Sequence, residues 1–174
     1  MEEVDVVDAH DNVVGKVKRE EAHKKELLHR VVQVFVFDPD GRLFVQQRSL
    51  SKDVYPGFYE GSLSGHVLSG ESFKEAAGRE LHEELGVCVR PSHIKEVVRF
   101  GFHGDERVLC KLFVVKDFKG EVKIDSDEVK SGEFWSLKKL MSELKGKKFF
   151  HPLFLKALGE FKGMRETTKE FVRL

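Results

Sequence analysis

The segment from Ser72 to Leu85 constrains the fold most strongly, because its helix boundaries and its apolar spacing agree. Ser72 is a typical N-cap residue, with Glu75 three residues later as in a capping box, and Gly86 is a typical C-terminal stop. At about 100° per residue, one face of this helix is apolar and collects Phe73, Ala77, Leu81 and Leu85. The sequence therefore predicts an amphipathic helix over 72–85 that packs on a core.

The acidic residues of this helix are placed unusually for a helix of a soluble protein. Glu80 and Glu84 fall on the edge of the apolar face, and Glu83 lies about 60° from Glu80. Like charges at this spacing repel one another, and their unpaired burial is unfavourable. A hard divalent cation removes both penalties, because Mg²⁺ or Mn²⁺ takes oxygen ligands from carboxylates, water and phosphate. Helix periodicity leaves open the alternative of a solvated acidic face, with pairs such as Glu75 to Arg79.

The residues around the helix decide between these interpretations. From Gly65 to Val87 the chain resembles the Nudix box: a Gly, five residues, a Glu, seven residues, then Arg-Glu-apolar-x-Glu-Glu-x-Gly-apolar. Every fixed position of that motif is filled, by Gly65, Glu71, Arg79, Glu80, Leu81, Glu83, Glu84, Gly86 and Val87. So many constrained positions at fixed spacing make the motif specific.

The resemblance implies a fold and a reaction. Nudix domains are αβα sandwiches, and their reaction is the attack of water on a nucleoside diphosphate that is linked to another group. By this resemblance, Mg²⁺ or Mn²⁺ would be held by Glu80, Glu83, Glu84 and the carbonyl group of Gly65. Bound cations neutralise phosphate charge and lower the pKa of the attacking water.

Two further roles follow from the same resemblance. Glu71 and Arg79 would form an ion pair that orients the helix and its metal ligands. One carboxylate must accept the proton of the attacking water, and the family does not fix its position. Glu80 is one candidate and Glu128, in an acidic segment before a predicted strand, is the other; a solvated acidic loop is the alternative for Glu128. The expected catalytic residues are Glu80, Glu84, Arg79 and Glu128.

Outside the box, short β-branched and aromatic segments alternate with turns and helices. Strands are predicted over 3–7, 13–17, 31–37, 43–47, 61–67, 96–102, 108–115 and 132–135. Helices are predicted over 72–85, 137–144 and 152–161, and residues 18–28 have helical propensity. The order lacks a strict strand–helix alternation. We therefore expect an α/β fold, an αβα sandwich with a mixed β-sheet, in one domain over residues 1–174.

Composition restricts the partners. The 174 residues include 30 basic and 30 acidic side chains, for a formal net charge of zero. This balance argues against a partner held by bulk attraction, so we expect a small-molecule diphosphate substrate and no nucleic acid polymer. The sequence has no long apolar stretch and no basic, apolar leader, which predicts a cytoplasmic protein without a membrane contact. A homodimer, the commonest closed assembly, is left open.

Segments outside the box resemble a narrower group, the isopentenyl-diphosphate isomerase branch of the Nudix superfamily. The resemblance rests on Leu28-His29-Arg30, Gln46-Gln47-Arg48, Tyr55-Pro56-Gly57 and Ser64-Gly65-His66. True isomerases carry a catalytic Cys at the position of Ser64 and lack the full carboxylate set of the box. The chain therefore resembles the hydrolases of that branch, and an isomerase acting on a small allylic diphosphate is the alternative.

Three histidines raise the question of a second metal. Isomerases of this branch use histidines for a separate metal ion, and His23, His29 and His66 fall near the corresponding places. His23 and His29 would lie about 120° apart on one continuous helix, so both reach one ion only if the helix breaks between them. Surface or hydrogen-bonded histidines are the simpler interpretation.

A third hypothesis is a binding module that senses a nucleotide through a degenerate box. Degenerate boxes lose carboxylates, whereas this box has lost none. Specificity in the family resides in loops outside the box. The sequence thus leaves nucleoside triphosphates, nucleotide sugars, dinucleotides and prenyl diphosphates open as substrates.

Overall fold

A computed structural model describes residues 2–146 and 148–167 of the chain. Its larger β-sheet contains β1 (Glu3–Val7), β2 (Val13–Lys18), β3 (His29–Val36), β6 (Leu63–His66), β7 (Lys95–His103) and β8 (Arg107–Val115). The strand order is β2-β1-β3-β8-β7, and β6 also pairs with β3. Strands β3 and β8 are parallel and all other pairs in this sheet are antiparallel, so the sheet is mixed.

A second sheet and the helices complete the described part of the fold. The second sheet contains β4 (Leu43–Arg48), β5 (Tyr59–Glu60) and β9 (Val129–Trp135). Its strands are antiparallel and lie in the order β5-β4-β9. The helices are α1 (Arg19–Lys24), α2 (Phe73–Leu85), α3 (Leu137–Glu143) and α4 (Pro152–Thr167), with a 3₁₀ turn at Pro91–His93. Among the described residues, no helix has the length and apolar character to cross a bilayer.

Strand β3 lies between two apolar clusters, because alternate side chains of a strand point to opposite faces. Val32 and Val34 belong to the cluster that contains the apolar face of α2. Phe35 belongs to the other cluster, where its ring meets those of Phe154 and Phe161 on α4 edge to face, with centroids 5.7 Å apart in each pair. Helices therefore cover the sheet from both sides, which confirms the predicted α/β sandwich with a mixed sheet.

The predicted elements are confirmed, with shifts at their ends. The helical propensity of residues 18–28 produces only the short helix α1. The helix stops at Lys24, Glu26 takes a left-handed φ of 50°, and β3 begins at His29. Residues 1, 147 and 168–174 of the predicted domain lie outside the described residues, and its extent over 1–174 stays a prediction.

Ser62 joins the two sheets at their centre. Its buried hydroxyl group accepts a hydrogen bond from the Val36 amide at 2.7 Å and donates one to the Phe44 carbonyl at 2.8 Å. Val36 ends β3 of the first sheet and Phe44 belongs to β4 of the second. One side chain thus satisfies a backbone group on each sheet, just before the chain enters β6.

Replacing Ser62 with Ala should therefore lower the free energy of unfolding by about 1–3 kcal/mol, since a buried N–H group and a buried C=O group lose their partner. Urea unfolding followed by circular dichroism measures this loss. Ser126→Ala, in an exposed segment, is the matched control and should change the stability by less than about 0.5 kcal/mol. An equal effect of both substitutions would contradict the proposed role of Ser62.

Candidate active site

One cavity of about 310 Å³ brings together most of the predicted site residues. It is lined by Gly65, Glu80, Glu83, Glu84 and Glu128, together with Ser64, His23 and His66. Residues that sequence analysis did not single out also line it, including Arg19, Lys52, Asp105, Glu106, Asp125 and His151. Two predicted residues, Glu71 and Arg79, are not part of the lining. They affect the cavity through the contacts of Arg79 with Glu80 and Glu83, which line it.

Helix α2 is positioned by its ends and by its apolar face. The Ser72 hydroxyl group accepts a hydrogen bond from the Glu75 amide, and the Glu75 carboxylate accepts one from the Ser72 amide, which completes the predicted capping box. Gly86 ends the helix in the left-handed conformation, with φ of 61°. The buried face consists of Phe73, Ala76, Ala77, Leu81 and Leu85. These contacts fix the rotation of the helix and therefore the direction of its carboxylates.

Arg79 is the cation that organises the box. Its guanidinium group donates to both oxygens of Glu71 at 3.0 Å, to Glu80 at 2.9 Å and to Glu83 at 3.0 Å. It also donates to the carbonyl oxygen of His66 at 2.9 Å. An arginine has five N–H donors in a rigid plane, so one side chain can hold the loop, the helix and the end of β6 together.

Glu80 lies against the backbone of Gly65. A Cβ atom at position 65 would come within 2.3 Å of Cδ of Glu80, so only glycine allows this approach. The Glu80 side chain is 12% exposed. Burial raises the pKa of Glu80 to about 7, even though Arg79 opposes the shift.

Glu84 is the more deeply buried carboxylate of the pair. It accepts a hydrogen bond of 3.3 Å from the Gln46 side chain, which also donates to Glu60 at 3.3 Å. Burial and the charges of Glu60 and Glu80 raise the pKa of Glu84 well above its usual range. Glu60 is itself 2% exposed, and its Oε2 atom has no hydrogen-bond partner among the described residues. This corner of the cavity therefore brings together carboxyl groups whose charged forms are unfavourable where they are buried.

Glu128 approaches from a different element, the segment that precedes β9. Its side chain is 39% exposed and forms a close ion pair with Lys52. Lys52 follows β4 in the chain and lines the cavity near Arg48, which is held by Glu60 at 3.0 Å. Basic side chains from the end of β4 and from the segment after it thus lie in the same cavity as the carboxylates of α2.

The three histidines of the sequence analysis meet at one point. Nε2 of His23 lies 2.9 Å from Nε2 of His66, and Glu106 places Oε2 within 3.2 Å of His23 and within 3.4 Å of both His29 and His66. One ligand atom from each of the four residues lies within 4.8 Å of all the others. We call these residues the histidine cluster.

The condition that sequence analysis set for a shared ion is met, because α1 ends at Lys24 and His23 and His29 belong to different elements. Burial would raise the pKa of Glu106, but hydrogen bonds with His29 and His66 outweigh it and hold that pKa well below its usual range. Burial lowers the pKa of His23 to about 4 and that of His66 below its usual value. The imidazoles of His23 and His66 are therefore available as neutral ligands.

Sequence analysis missed Glu106, which lies in the turn immediately before β8, forty residues after His66. The pairing of β8 with β3 brings Glu106 to the histidines, and no short-range spacing in the sequence predicts this contact.

The two donor sets fit different ions. The box supplies carboxylate and carbonyl oxygens, and its desolvated Glu80 and Glu84 are left with raised pKa values, as expected for ligands of a hard cation. The histidine cluster supplies nitrogens and one oxygen, and the buried Nε2 of His29 has no hydrogen-bond partner among the described residues. Imidazole with carboxylate suits a transition metal ion.

The box carboxylates do not converge in the way that the histidine cluster does. Within the described residues, the histidine cluster is the group whose ligand atoms all lie within 4.8 Å of one another. Arg79 explains the difference, because it draws Glu80 and Glu83 onto its own guanidinium group.

Comparison with known proteins identifies the family. Residues 27–158 match the NUDIX domain, which is well over half of the chain. The chain belongs to the Nudix family. The predicted family is therefore confirmed, and the box at residues 65–87 lies inside the matched region.

Relatives of the Nudix chain support its placement in the predicted branch. A Nudix hydrolase of Pseudomonas aeruginosa is 35% identical over 74% of this chain and 75% of that protein. A Nudix hydrolase of Streptomyces coelicolor is 44% identical over 51% of this chain, and the chain spans only 49% of that relative's length. An isopentenyl-diphosphate Delta-isomerase of Serratia proteamaculans is 44% identical over 47% of this chain and 45% of that enzyme.

Solved structures confirm the Nudix fold. A crystal structure from Deinococcus radiodurans superposes with a TM-score of 0.69 at 25% identity and covers 87% of this chain and 94% of its own. A MutT protein from Methanosarcina mazei superposes with a TM-score of 0.66 at 20% identity and covers 81% and 96%.

We expect Glu71 and Arg79 to be energetically coupled. A double-mutant cycle of Glu71→Ala and Arg79→Ala, measured by urea unfolding, should give a coupling free energy of about 1–3 kcal/mol. The exposed pair Glu133 and Lys139 is the matched control, with an expected coupling of about 0.2–1 kcal/mol. Additive effects of Glu71→Ala and Arg79→Ala would show that the pair does not orient the helix.

Glu80 should make the metal-free protein sensitive to pH. Its pKa is about 7 in the folded state and about 4.5 when unfolded, so the folded state binds the proton more tightly. The protonated form therefore stabilises the fold below pH 4.5, and this contribution is lost as the pH rises through 7. In the presence of chelator, the free energy of unfolding of Glu80→Gln should rise relative to that of the wild type as the pH increases from 4.5 to 8. The difference at pH 8 should be on the order of 1–3 kcal/mol. Thermal melts across pH 4.5 to 8 test this, with exposed Glu121→Gln as the control; parallel curves would refute it.

Proposed function

We propose that the chain hydrolyses a diphosphate linkage in a small organic diphosphate, by attack of water, with Mg²⁺ or Mn²⁺ bound to the box. The observation that carries this proposal is the pair of desolvated carboxylates, Glu80 and Glu84, which line a cavity rather than a packed core. A structural role would pair both carboxylates with cations. Here Arg79 reaches Glu80, and Glu84 receives only the neutral amide of Gln46 among the contacts described.

In this proposal the box residues bind the cation and fix its position in the cavity. Glu80, Glu83, Glu84 and the Gly65 carbonyl supply the oxygens, and the Arg79 pair with Glu71 keeps the helix in register with β6. The bound cation would neutralise charge on the phosphate oxygens and lower the pKa of a bound water. When Glu80 and Glu83 turn to the ion, Arg79 would lose some of its hydrogen bonds to these two carboxylates. It would keep its hydrogen bonds to Glu71 and to the His66 carbonyl.

The attacking water needs a carboxylate that accepts its proton. Glu80 and Glu128 both line the cavity, and Glu128 is the more exposed of the two and is not drawn to Arg79. Lys52 forms a close ion pair with Glu128 and would hold its carboxylate in place at the cavity. A pH–rate profile of Glu128→Gln tests its role, because protonation of a carboxylate base makes the rate fall at acidic pH, and this acidic limb should disappear in the variant.

Basic residues of the same cavity suit the rest of a phosphorylated substrate. Arg19, Arg48 and Lys52 line it and offer charge to phosphate oxygens that the cation does not reach. These contacts concern a small ligand inside a cavity, in line with the absence of a net positive charge on the chain.

The histidine cluster would bind a second ion, of the transition-metal type. Its three imidazoles and the Glu106 carboxylate supply the ligand types that Zn²⁺ or Mn²⁺ accepts. Such an ion would connect α1, β3, β6 and the turn before β8 at the edge of the cavity. Elemental analysis of the purified protein, with His29→Ala as the control variant, tests this part of the proposal separately from activity.

The hydrolase proposal predicts a large loss of turnover in two variants. Glu80→Gln and Glu84→Gln should each lower kcat by at least about 100-fold with little change in fold, because each removes a charge that faces the cation. Phosphate release from a panel of diphosphates at saturating Mg²⁺ measures turnover, and calorimetry measures Mg²⁺ affinity. Exposed Glu121→Gln should retain both. Near-normal turnover in either box variant would overturn the ligand assignment.

An isomerase of a small allylic diphosphate is the second candidate, favoured by the histidine cluster and by Ser64, which lines the same cavity as His66. A serine hydroxyl group is far harder to ionise than the cysteine thiol that isomerases carry at this position. We therefore expect the wild type not to interconvert isopentenyl and dimethylallyl diphosphate, and we expect Ser64→Ala to retain hydrolysis. Isomerisation that disappears in Ser64→Ala would favour the isomerase instead.

A further inference from the structure

His151 lies at the start of α4, where sequence analysis singled out no functional residue. It lines the cavity and is 6% exposed. Its carbonyl oxygen accepts the Leu155 amide at 3.1 Å, and its Nδ1 atom accepts the Leu153 amide at 3.2 Å. His151 is thus the residue that caps the helix, and its ring takes the place of the usual Ser or Asp side chain.

The cap fixes the proton on the ring. Because Nδ1 accepts a hydrogen bond from an amide, it carries no proton, and the neutral ring keeps its proton on Nε2. The Tyr55 ring packs on His151 edge to face with centroids 4.7 Å apart, and the His151 amide donates to the Tyr59 carbonyl at 2.8 Å. The ring is therefore held from two sides with one N–H group left over for the cavity.

The same arrangement excludes two other roles for Nε2. A metal ion or a transferred proton at Nε2 would require the resident proton to leave or a second proton to sit on Nδ1, where it would face the Leu153 amide. The charged groups nearest the ring are Arg48, Asp105 and Glu106. Burial and Arg48 together lower the pKa of His151 to about 4, against the two acidic residues. A neutral imidazole that donates from Nε2 is what remains.

We infer that His151 is a substrate-binding residue that donates its Nε2–H group to a phosphate oxygen of the diphosphate. The inference rests on the proposed hydrolysis and specifies where the second phosphate lies. Arg48 and His151 line the same cavity as the carboxylates of α2, so both can donate to phosphate oxygens that the cation of the box does not reach. A phosphate oxygen accepts such a neutral donor strongly, and helix α4 adds the positive end of its dipole at the same point.

Two variants separate the donor from the cap, because they copy different nitrogens of the ring. In His151→Asn the side-chain oxygen can replace Nδ1 at the cap, but no group reaches the position of Nε2. In His151→Gln the amide nitrogen can reach the position of Nε2, but the cap is lost. His93→Asn, on the exposed 3₁₀ turn, is the matched control.

The measurements are KM and kcat for the best diphosphate substrate and the melting temperature. For His151→Asn we expect KM to rise about 10-fold or more with the melting temperature near that of the wild type. For His151→Gln we expect a KM near that of the wild type and a melting temperature about 2–4 °C lower. An unchanged KM in His151→Asn, or an equal rise in KM in both variants, would overturn the inference.

A binding assay distinguishes this result from failure of the proposed function. Methylenediphosphonate is a diphosphate analogue whose P–C–P bridge cannot be hydrolysed, and calorimetry measures its affinity in the presence of Mg²⁺ without any reaction. If the wild type hydrolyses nothing yet binds this compound at least 5-fold more tightly than His151→Asn, the hydrolase proposal fails and the His151 subsite stands. Equal affinity of wild type and His151→Asn overturns the subsite whether or not hydrolysis occurs.

Discussion

The site depends on one set of contacts, those of the half-buried guanidinium group of Arg79 with three carboxylates. Arg79 faces Glu71, Glu80 and Glu83 at about the length of normal charged hydrogen bonds. An ion pair in this position contributes little net stability by itself, because both partners lose water. Its value lies in geometry, since the planar fork fixes the loop before α2, the helix and the end of β6 in one arrangement.

Arg79 does not reach Glu84, which has no cationic partner among the contacts described. Glu84 lies near Glu80 on its own helix and near Glu60 across the Gln46 amide. Burial raises the pKa of Glu84, and repulsion from these two carboxylates raises it further. The core beneath α2 supplies the energy that keeps these groups in place, because Leu81 and Leu85 are fully buried on the same helix. The fold therefore maintains an arrangement that is unfavourable without a cation, which is the physical meaning of an affinity for one.

The sequence predicted the part of the site that is local and left out the part that is not. Gly65, Glu80 and Glu84 could be found because a capped helix has a fixed rotation and the box has a fixed spacing. The histidine cluster could only be named as an open question, since its geometry depends on where α1 stops. Glu106 and His151 were missed because they reach the cavity through the pairing of β8 and through a helix cap, neither of which leaves a periodic pattern.

His66 shows how the two donor sets are connected. Its carbonyl oxygen is bound by Arg79, and its ring belongs to the histidine cluster, so one residue is shared between the oxygen set and the nitrogen set. Strand β6, in which it lies, pairs with β3 at Val31, two residues beyond His29. The same short strand also contains Gly65, whose lack of a side chain admits Glu80. A displacement of β6 would therefore alter both sets at once, and the hydrogen bonds of Ser62 to β3 and β4 are what hold that strand at its start.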